Sequence, residues 1–288
     1  MQSQPHLQKP DPLVSIIVPT FNRANFLERC VRSILDQTYR NLECIVMDGA
    51  SKDASVAILE RLAREDPRLR FVSEPDKGEV YATNKGFDLA RGEIYGIQAS
   101  DDVYVPDAVE KAVMFLLQHR EYVGVSGDAI YVDQHGQSLG RGVITYRGEM
   151  SRARIRRILM VRYKSCLVCH GSFLGWREQV LKHGKLDPSF SVTPDWEFYL
   201  RLLDGGERIG FLPRVQYHYT VHEGMGATKY AQRVESERAS LHRKYGMKWY
   251  HEWSRATVGR AMSYLSNPYR TPLSKGLLQE VKATFGIR

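Results

Sequence analysis

The strongest constraint on the fold is an alternation of short apolar runs with amphipathic helical segments in the first half of the chain. The run from Val14 to Pro19 predicts a buried strand. Further strands are predicted at residues 43–47, 70–73, 93–99 and 122–132, with helices between them. The apolar face of the first helix is Leu27, Cys30, Val31, Ile34 and Leu35, and that of the helix after Pro106 is Val109, Ala112, Val113, Leu116 and Leu117. Strands separated by helices predict an α/β fold with a mostly parallel sheet flanked by helices.

The second half of the chain loses this alternation after residue 140. Residues 151–164 predict a basic amphipathic helix, and residues 195–203 predict another helix. We therefore expect an N-terminal tail at residues 1–11, one domain over residues 12–227 and a helical, basic extension over residues 228–288. Within the domain we distinguish two halves: residues 12–135, which have the alternation of strands and helices, and residues 136–227, which lack it.

The positive charge of the chain is concentrated in two segments. Residues 141–164 contain eight basic residues and one acidic residue, and residues 226–288 contain twelve and four, within a net charge of +8. This distribution predicts an anionic partner, with a solvated basic face as the alternative. The apolar runs are far shorter than the ~20 residues of a membrane span, and residues 1–12 lack an apolar signal core. We expect a soluble, cytoplasmic protein whose basic segments suit peripheral contact with the inner face of the membrane.

Four cysteines are present, at positions 30, 44, 166 and 169. The segment Cys166-Leu167-Val168-Cys169-His170 has the spacing of a c-type haem attachment motif. Haem attachment of that kind needs export, and a zinc site needs a second ligand pair, neither of which the sequence supports. We expect ordinary buried thiols.

Polar residues follow three of the predicted strands. Thr20, Asn22 and Arg23 follow the first, Asp48 ends the second, and Asp101 and Asp102 follow the fourth. Ligands of open α/β sheets bind beyond the carboxyl ends of the strands. Adjacent carboxylates favour a divalent cation shared with a phosphate, whereas the alternative for Asp101 and Asp102 is a helix N-cap.

Two later segments also carry candidate groups. Asp195 stands where a helix is predicted to begin, so it serves as a cap, a base or a ligand. His218 and His222 lie in the segment Tyr217–Gly224, where each is a hydrogen-bonding structural residue or a ligand.

Four segments together resemble family 2 glycosyltransferases of the GT-A fold. They are Val14–Arg23 (VSIIVPTFNR), Val46–Asp53 (VMDGASKD), Glu74–Gly78 (EPDKG) and Ala99–Asp102 (ASDD). The resemblance is strong over residues 12–135, extends by single motifs to about residue 227, and does not reach the tail. It implies an inverting transfer of a sugar from a nucleoside diphosphate to a hydroxyl group, with residues 12–135 as the nucleotide-binding half and residues 136–227 as the acceptor and catalytic half.

The resemblance also implies roles for single residues. Thr20, Asn22 and Asp48 would hold the nucleoside, Lys85 or Arg23 would lie near the phosphates, and Asp101 near the ribose. Asp102 and His222 would hold Mn²⁺ or Mg²⁺, and Asp195 would be the catalytic base. The sequence departs from the family pattern at Ser100, where an acid is usual, and in Asp195-Trp196-Glu197, which leaves Glu197 as an alternative base.

We therefore expect a metal-dependent glycosyltransferase that uses a nucleotide-sugar, by default a UDP-sugar, and a glycan or lipid-linked acceptor in cell-surface polysaccharide synthesis. Two alternatives are a sugar-nucleotide nucleotidyltransferase and a non-catalytic protein that binds anionic lipid or RNA. The first normally has a glycine-rich basic loop after the first strand, which this chain lacks. Because no nucleic-acid-binding motif is present, we expect no nucleic acid partner.

Overall fold

The computed structural model describes residues 11–140, 149–152, 168, 170–222 and 230–245. Its strands are β1 (Val14–Thr20), β2 (Leu42–Asp48), β3 (Leu69–Ser73), β4 (Ile94–Ile97), β5 (Val103–Tyr104), β6 (Gly124–Val132), β7 (Leu174–Trp176) and β8 (Ile209–Thr220). Its helices are α1 (Ala24–Leu35), α2 (Ser55–Glu65), α3 (Glu79–Leu89), α4 (Ala108–Gln118), α5 (Arg177–Leu181), α6 (Pro194–Asp204) and α7 (Ala231–Lys244), with a 3-10 turn at His170–Ser172.

These strands form one sheet in the order β3-β2-β1-β4-β7-β6-β8-β5. Neighbouring strands from β3 to β4 run parallel, as do β6 and β8. The short strand β7 runs antiparallel between β4 and β6, and β5 runs antiparallel to β8. The predicted α/β fold with a mostly parallel, helix-flanked sheet is confirmed. The two predicted halves share this sheet, because β7 from the second half separates two strands of the first.

Helices cover both faces of the sheet. The apolar side chains of α1, α2 and α4 pack with one set of strand residues, and those of α3 and α6 pack with the opposite set. All five residues predicted for the apolar face of α1 are buried. The prediction for Leu117 is wrong: it is 37% exposed, because it lies in the last turn of α4, where Leu116 already faces the core.

Glu43 on β2 bonds to residues of β1 and β3 and to Arg91, which precedes β4. The Glu43 carboxylate accepts hydrogen bonds from Ser15 Oγ, from the backbone and guanidinium of Arg91, and from Arg70. Burial alone would raise the pKa of Glu43, but these donors outweigh it and lower the pKa to about 2. A carboxylate with so many donors stays ionised inside the sheet.

Cys30 and Cys44 are free thiols buried in the core, as predicted for them. Cys166, Cys169, most of the helix predicted at residues 151–164 and the tail beyond residue 245 lie outside the described residues. Among the helices that are described, none combines the length and the apolar character that crossing a membrane requires.

Candidate active site

Asp48 and Thr20 lie side by side where β2 and β1 end, since the register of the two strands pairs them. The Asp48 carboxylate accepts hydrogen bonds from the backbone and hydroxyl of Ser51 and from Ser73 Oγ, at 2.9, 2.5 and 2.6 Å. Thr20 differs, because its hydroxyl oxygen is buried and has no hydrogen-bond partner among the described residues. A buried hydroxyl without a partner is costly unless a ligand completes it.

Asn22 and Arg23 form the turn that follows β1. Asn22 has a left-handed backbone with φ of 53°, which asparagine tolerates better than most residues. Its side-chain oxygen accepts a hydrogen bond from Lys52 N at 2.8 Å, and its own N–H donates to Ser51 Oγ at 2.7 Å. The Asn22 side chain therefore joins this turn to the loop after β2.

Phe21 is an exposed aromatic residue at this edge, with 56% of its surface accessible. Its ring lies near Gly49, where an added Cβ would come within 3.3 Å of the ring and 3.0 Å of Asp76 Oδ2. The absence of a side chain at Gly49 thus keeps open the space bordered by Phe21 and Asp76. Planar aromatic groups stack readily on an exposed ring of this kind.

Asp101 meets His222, which follows β8. His222 Nε2 lies 2.9 Å from Asp101 Oδ2, and the imidazole stacks on the Phe26 ring of α1 with centroids 4.7 Å apart. Arg23 Nε lies 3.8 Å from the same carboxylate oxygen. Asp101, which follows β4, therefore contacts both the turn after β1, through Arg23, and the end of β8, through His222.

Asp102 is the more buried of the two adjacent acids, with 3% of its surface exposed. Its Oδ1 accepts a hydrogen bond from Thr220 N at 2.8 Å. Burial and then the charge of Asp101 raise the pKa of Asp102 well above its ordinary value, against the opposing effects of Thr220 N–H and Arg29. An added cation would remove this penalty on the ionised form.

The donor atoms at this position fit a divalent cation. Carboxylate oxygens and an imidazole suit Mn²⁺ and, through the oxygens, Mg²⁺. Within the described ranges no three such side chains already form a cation cage. Mg²⁺ is commonly held by one or two carboxylates together with substrate phosphates, so Asp101, Asp102 and His222 are the residues that would hold a cation together with a diphosphate.

Asp195 occupies the second position of α6, after Pro194, as the sequence predicts. It lies near Glu79, the first residue of α3. Glu79 is an exposed residue at the first position of α3. The surrounding protein and then the charges of Asp101 and Asp195 raise the pKa of Glu79, while the charge of Arg23 opposes the rise. Asp101 and Asp195 are thus both close enough to act on one carboxyl group.

Glu197, the alternative base, is completely enclosed. Its carboxylate accepts hydrogen bonds from Arg201, from Lys244 Nζ at 2.9 Å and from Tyr245 Oη at 2.7 Å. Burial would raise the pKa of Glu197, but these three donors lower it. The arrangement leaves Glu197 no access to a substrate hydroxyl.

Two further groups border the site. His170 Nδ1 lies 2.8 Å from Tyr199 Oη, and Tyr199 is one turn after Asp195 on α6. Burial lowers the pKa of His170, while the charge of Asp195 partly offsets this effect. Lys85, predicted near the phosphates, is on α3 and pairs with Glu74, which follows β3.

The structure therefore gathers most of the predicted site residues at one edge of the sheet. Thr20, Asn22, Arg23, Asp48, Asp101, Asp102 and His222 all follow or end strands there. Sequence reasoning missed Glu79, His170 and Phe21. Only Phe21 had a usable signal, because it stands between the polar turn residues Thr20 and Asn22.

The sequence is similar to a known family of proteins. The model of the family described as glycosyl transferase family 2 matches residues 15–184. A chondroitin synthase of Pasteurella multocida (strain Pm70) is 28% identical over 214 residues, which cover 73% of this chain and 21% of that protein. The chain thus spans about a fifth of the length of this relative.

Two solved structures share the fold. TarS 1–349 of S. aureus, in complex with UDP-GlcNAc, has a TM-score of 0.62 at 17% identity and covers 95% of this chain and 80% of that one. The mannosyltransferase PcManGT of Pyrobaculum calidifontis, in complex with GDP-Man and Mn²⁺, has a TM-score of 0.61 at 22% identity, with coverage of 96% and 74%.

Proposed function

The chain belongs to glycosyl transferase family 2, and from this premise we propose that it transfers a sugar from a nucleoside diphosphate to a hydroxyl group of a glycan or lipid-linked acceptor. The donor we propose is a UDP-sugar, the reaction inverts the anomeric carbon, and the product belongs to cell-surface polysaccharide. The observation that carries the proposal is the convergence of polar side chains at one edge of the sheet, where Thr20 lies opposite Asp48 and His222 Nε2 lies 2.9 Å from Asp101 Oδ2. Asp195, at the second position of α6, is the group suited to the acceptor proton.

The nucleoside binds at the ends of β1 and β2 in this proposal. The unpartnered Thr20 hydroxyl and the neighbouring Asp48 carboxylate offer polar groups to the base. The exposed Phe21 ring stacks on it, and Gly49 leaves room for it. Asn22 contributes through the shape of the turn, since its side-chain oxygen already accepts from Lys52 N.

The diphosphate lies beside Asp102 and His222, the residues expected to hold Mn²⁺ or Mg²⁺. We add Asp101, which was expected near the ribose, to this group because its Oδ2 lies 2.9 Å from His222 Nε2. When bound, the cation neutralises the negative charge of the diphosphate. Support comes from the donor set of these residues and from the Mn²⁺ in the complex of PcManGT. Arg23 adds a positive charge near Asp101, and Lys85 stays a predicted phosphate contact.

Asp195 is the base. Its carboxylate accepts the proton of the acceptor hydroxyl as the hydroxyl oxygen attacks the anomeric carbon. The bond from that carbon to the diphosphate oxygen breaks, and the electron pair leaves with the diphosphate. A single displacement of this kind inverts the anomeric centre and needs no covalent enzyme intermediate.

We also propose that the basic segments bind an anionic membrane surface. Polybasic segments contribute ~1 kcal/mol per Lys or Arg near an anionic surface. The two basic segments of the sequence lie largely outside the described residues, so the support is their charge alone. Such contact would place a cytoplasmic enzyme beside a lipid-linked acceptor.

The first test is calorimetric binding of uridine, guanosine, thymidine and cytidine diphosphates, each with Mn²⁺ and with EDTA. We expect one of them to bind in a metal-dependent way, and Asp102→Asn to remove that dependence. Asp36→Asn is the matched control: Asp36 is exposed and caps the far end of α1, roughly 16 Å along the helix from the site.

Donor hydrolysis with the matching nucleotide-sugars, followed by NMR of the first-formed anomer, then tests the transfer and its inversion. Retention of the anomer would contradict the single displacement. If no nucleotide binds to folded protein and anionic vesicles bind in a salt-dependent way, the non-catalytic lipid-binding alternative replaces this proposal.

A further inference from the structure

The Glu237 carboxylate of helix α7 accepts hydrogen bonds from residues 191–193, the segment that precedes α6. Glu237 Oε1 accepts hydrogen bonds from Ser191 N at 2.9 Å and Ser191 Oγ at 3.1 Å. Its Oε2 accepts from Val192 N at 3.0 Å, Thr193 N at 2.9 Å and Thr193 Oγ1 at 3.0 Å. Three consecutive backbone N–H groups therefore converge on a side chain from a helix that begins nearly 40 residues later.

The bonded segment ends where α6 begins. Thr193 is the N-cap residue of α6, and its side chain makes no capping bond because its hydroxyl donates to Glu237 instead. Asp195 follows two residues later, at the second helical position. The backbone that Glu237 holds therefore ends two residues before Asp195.

Other contacts of α7 flank the same turn. The Arg238 guanidinium lies 4.7 Å from the centroid of the Trp196 ring, and Lys244 pairs with Glu197. Leu241 is buried in the core cluster that also contains Trp196. Helix α7 thus contacts Trp196 and Glu197, which follow Asp195, while Glu237 makes the contacts to residues 191–193, which precede it.

Glu237 is suited to a fixed position. Only 7% of its surface is exposed. Burial would raise its pKa, but the N–H groups of Ser191 and Val192 and the donors of Thr193 lower it instead. A carboxylate that accepts several backbone N–H bonds remains ionised and has little freedom to rotate.

We propose that Glu237 is a positioning residue for Asp195, holding the 191–193 backbone so that Asp195 points at the acceptor hydroxyl. The inference rests on the proposed function and deepens it, because it makes α7, which lies beyond the residues matched by the family model, a part of the catalytic machinery. The described contacts of Glu237 are with residues 191–193 and Arg233, and none of them reaches Thr20 or Asp48, so we expect donor binding to be independent of it.

The test compares Glu237→Ala and Glu237→Gln with the wild-type protein in donor hydrolysis and in UDP calorimetry. We expect Glu237→Ala to lower kcat about 10- to 100-fold, since a misplacement near 1 Å has effects of that size. Glu237→Gln keeps one acceptor oxygen and should recover part of that loss. The KM for the donor, the Kd for UDP and the binding stoichiometry should stay within twofold of wild type.

Two controls separate positioning from general effects. Glu60→Gln makes the same chemical change on the exposed face of α2, and Gln232→Ala changes an exposed residue of α7 itself; both should match wild type. If Glu237→Ala does not fold, Thr193→Val removes one donor to Glu237 Oε2 with little change of shape, and the same selective fall in kcat is expected.

Three results would overturn the inference. If both Glu237 variants have the wild-type kcat, the positioning role of Glu237 is rejected, and the proposed function is unaffected. A UDP stoichiometry that falls in parallel with kcat assigns Glu237 to folding alone. Absence of turnover in the wild-type protein, with or without UDP binding, rejects the proposed function, and the inference is rejected with it.

Discussion

His222 Nε2 lies 2.9 Å from Asp101 Oδ2 although the two residues are 121 positions apart, and Phe26 stacks on the imidazole. The contact connects the end of β8 to the end of β4. Because His222 Nε2 already faces the Asp101 carboxylate, these two side chains would hold a cation together. The contact therefore determines what a change at His222 should do.

We expect His222→Ala to weaken Mn²⁺-dependent UDP binding at least about tenfold, the effect of disturbing a metal site. Binding in EDTA should be unchanged, since the nucleoside residues Thr20 and Asp48 are untouched. His119→Ala is the matched control, because His119 also lies against a phenylalanine ring, that of Phe115 at the end of α4. Equal losses with Mn²⁺ and with EDTA would show that His222 does not act through a cation.

Thr20→Val should change stability and binding in opposite directions. The substitution removes a buried hydroxyl that has no partner, so the unfolding free energy should stay level or rise by about 1 kcal/mol. UDP binding should weaken about 5- to 30-fold if the nucleoside is the missing partner, which corresponds to one hydrogen bond. Thermal unfolding and calorimetry measure the two effects.

Thr20→Ser serves as the control for that change, because it keeps the hydroxyl and should keep most of the affinity. A Thr20→Val protein that is destabilised and binds UDP normally would mean that the hydroxyl serves the fold.

The two acids at the start of α6 should respond differently to loss of charge. Asp195→Asn should lower kcat about 10²- to 10⁴-fold, the range for a general base, with little change in Tm. Glu197→Gln should instead lower the unfolding free energy by about 2–4 kcal/mol, because Arg201 and Lys244 lose a buried partner.

Asp204→Asn, at the opposite end of α6 and exposed, provides the control for the Asp195 variant. A Glu197→Gln enzyme with a normal Tm and a greatly reduced kcat would restore Glu197 as the base.

Glu43 should make stability depend on pH in the acid range. Its pKa is about 2 in the folded protein against an ordinary value of 4.5, so the unfolded chain binds a proton before the folded protein does. The contribution is therefore fully present above about pH 5 and is lost as the pH falls from 4.5 to 2. We expect about 2–3 kcal/mol at neutral pH, reduced by solvent screening of Arg70 and Arg91, which are partly exposed.

Glu43→Gln removes the charge at every pH, so its Tm should lie below that of wild type at pH 7 and approach it near pH 2. A Tm difference that stays constant between pH 7 and pH 2 would contradict the assignment.

The sequence predicted those features that repeat locally. The periodic burial of Leu27, Cys30, Val31 and Ile34 identified α1, and the parallel order of β1, β2 and β4 follows from helices placed between them. Because parallel strands end at the same edge, Thr20, Asp48 and Asp101 were expected together, and the structure brings them together.

Features that depend on distant contacts could not be predicted. The strand β7 has three residues, too few for a periodic pattern, and its place between β4 and β6 depends on tertiary pairing. The pairing of His222 with Asp101, the raised pKa of Glu79 and the bonds of Glu237 to residues 191–193 likewise arise between segments far apart in the chain. Glu197 was an open alternative for the same reason, since its partners Lys244 and Tyr245 come from α7.

The position of β7 has a consequence for the protein during its synthesis. When residue 132 has emerged from the ribosome, β4 and β6 are both available, but the strand that separates them, residues 174–176, has not yet emerged. The edges of β4 and β6 that face each other keep free backbone groups until about 40 further residues have emerged. Open edges of this kind pair readily with strands of other chains. The nascent chain is therefore exposed to aggregation during this interval, and slower elongation while residues 133–176 emerge would lengthen it.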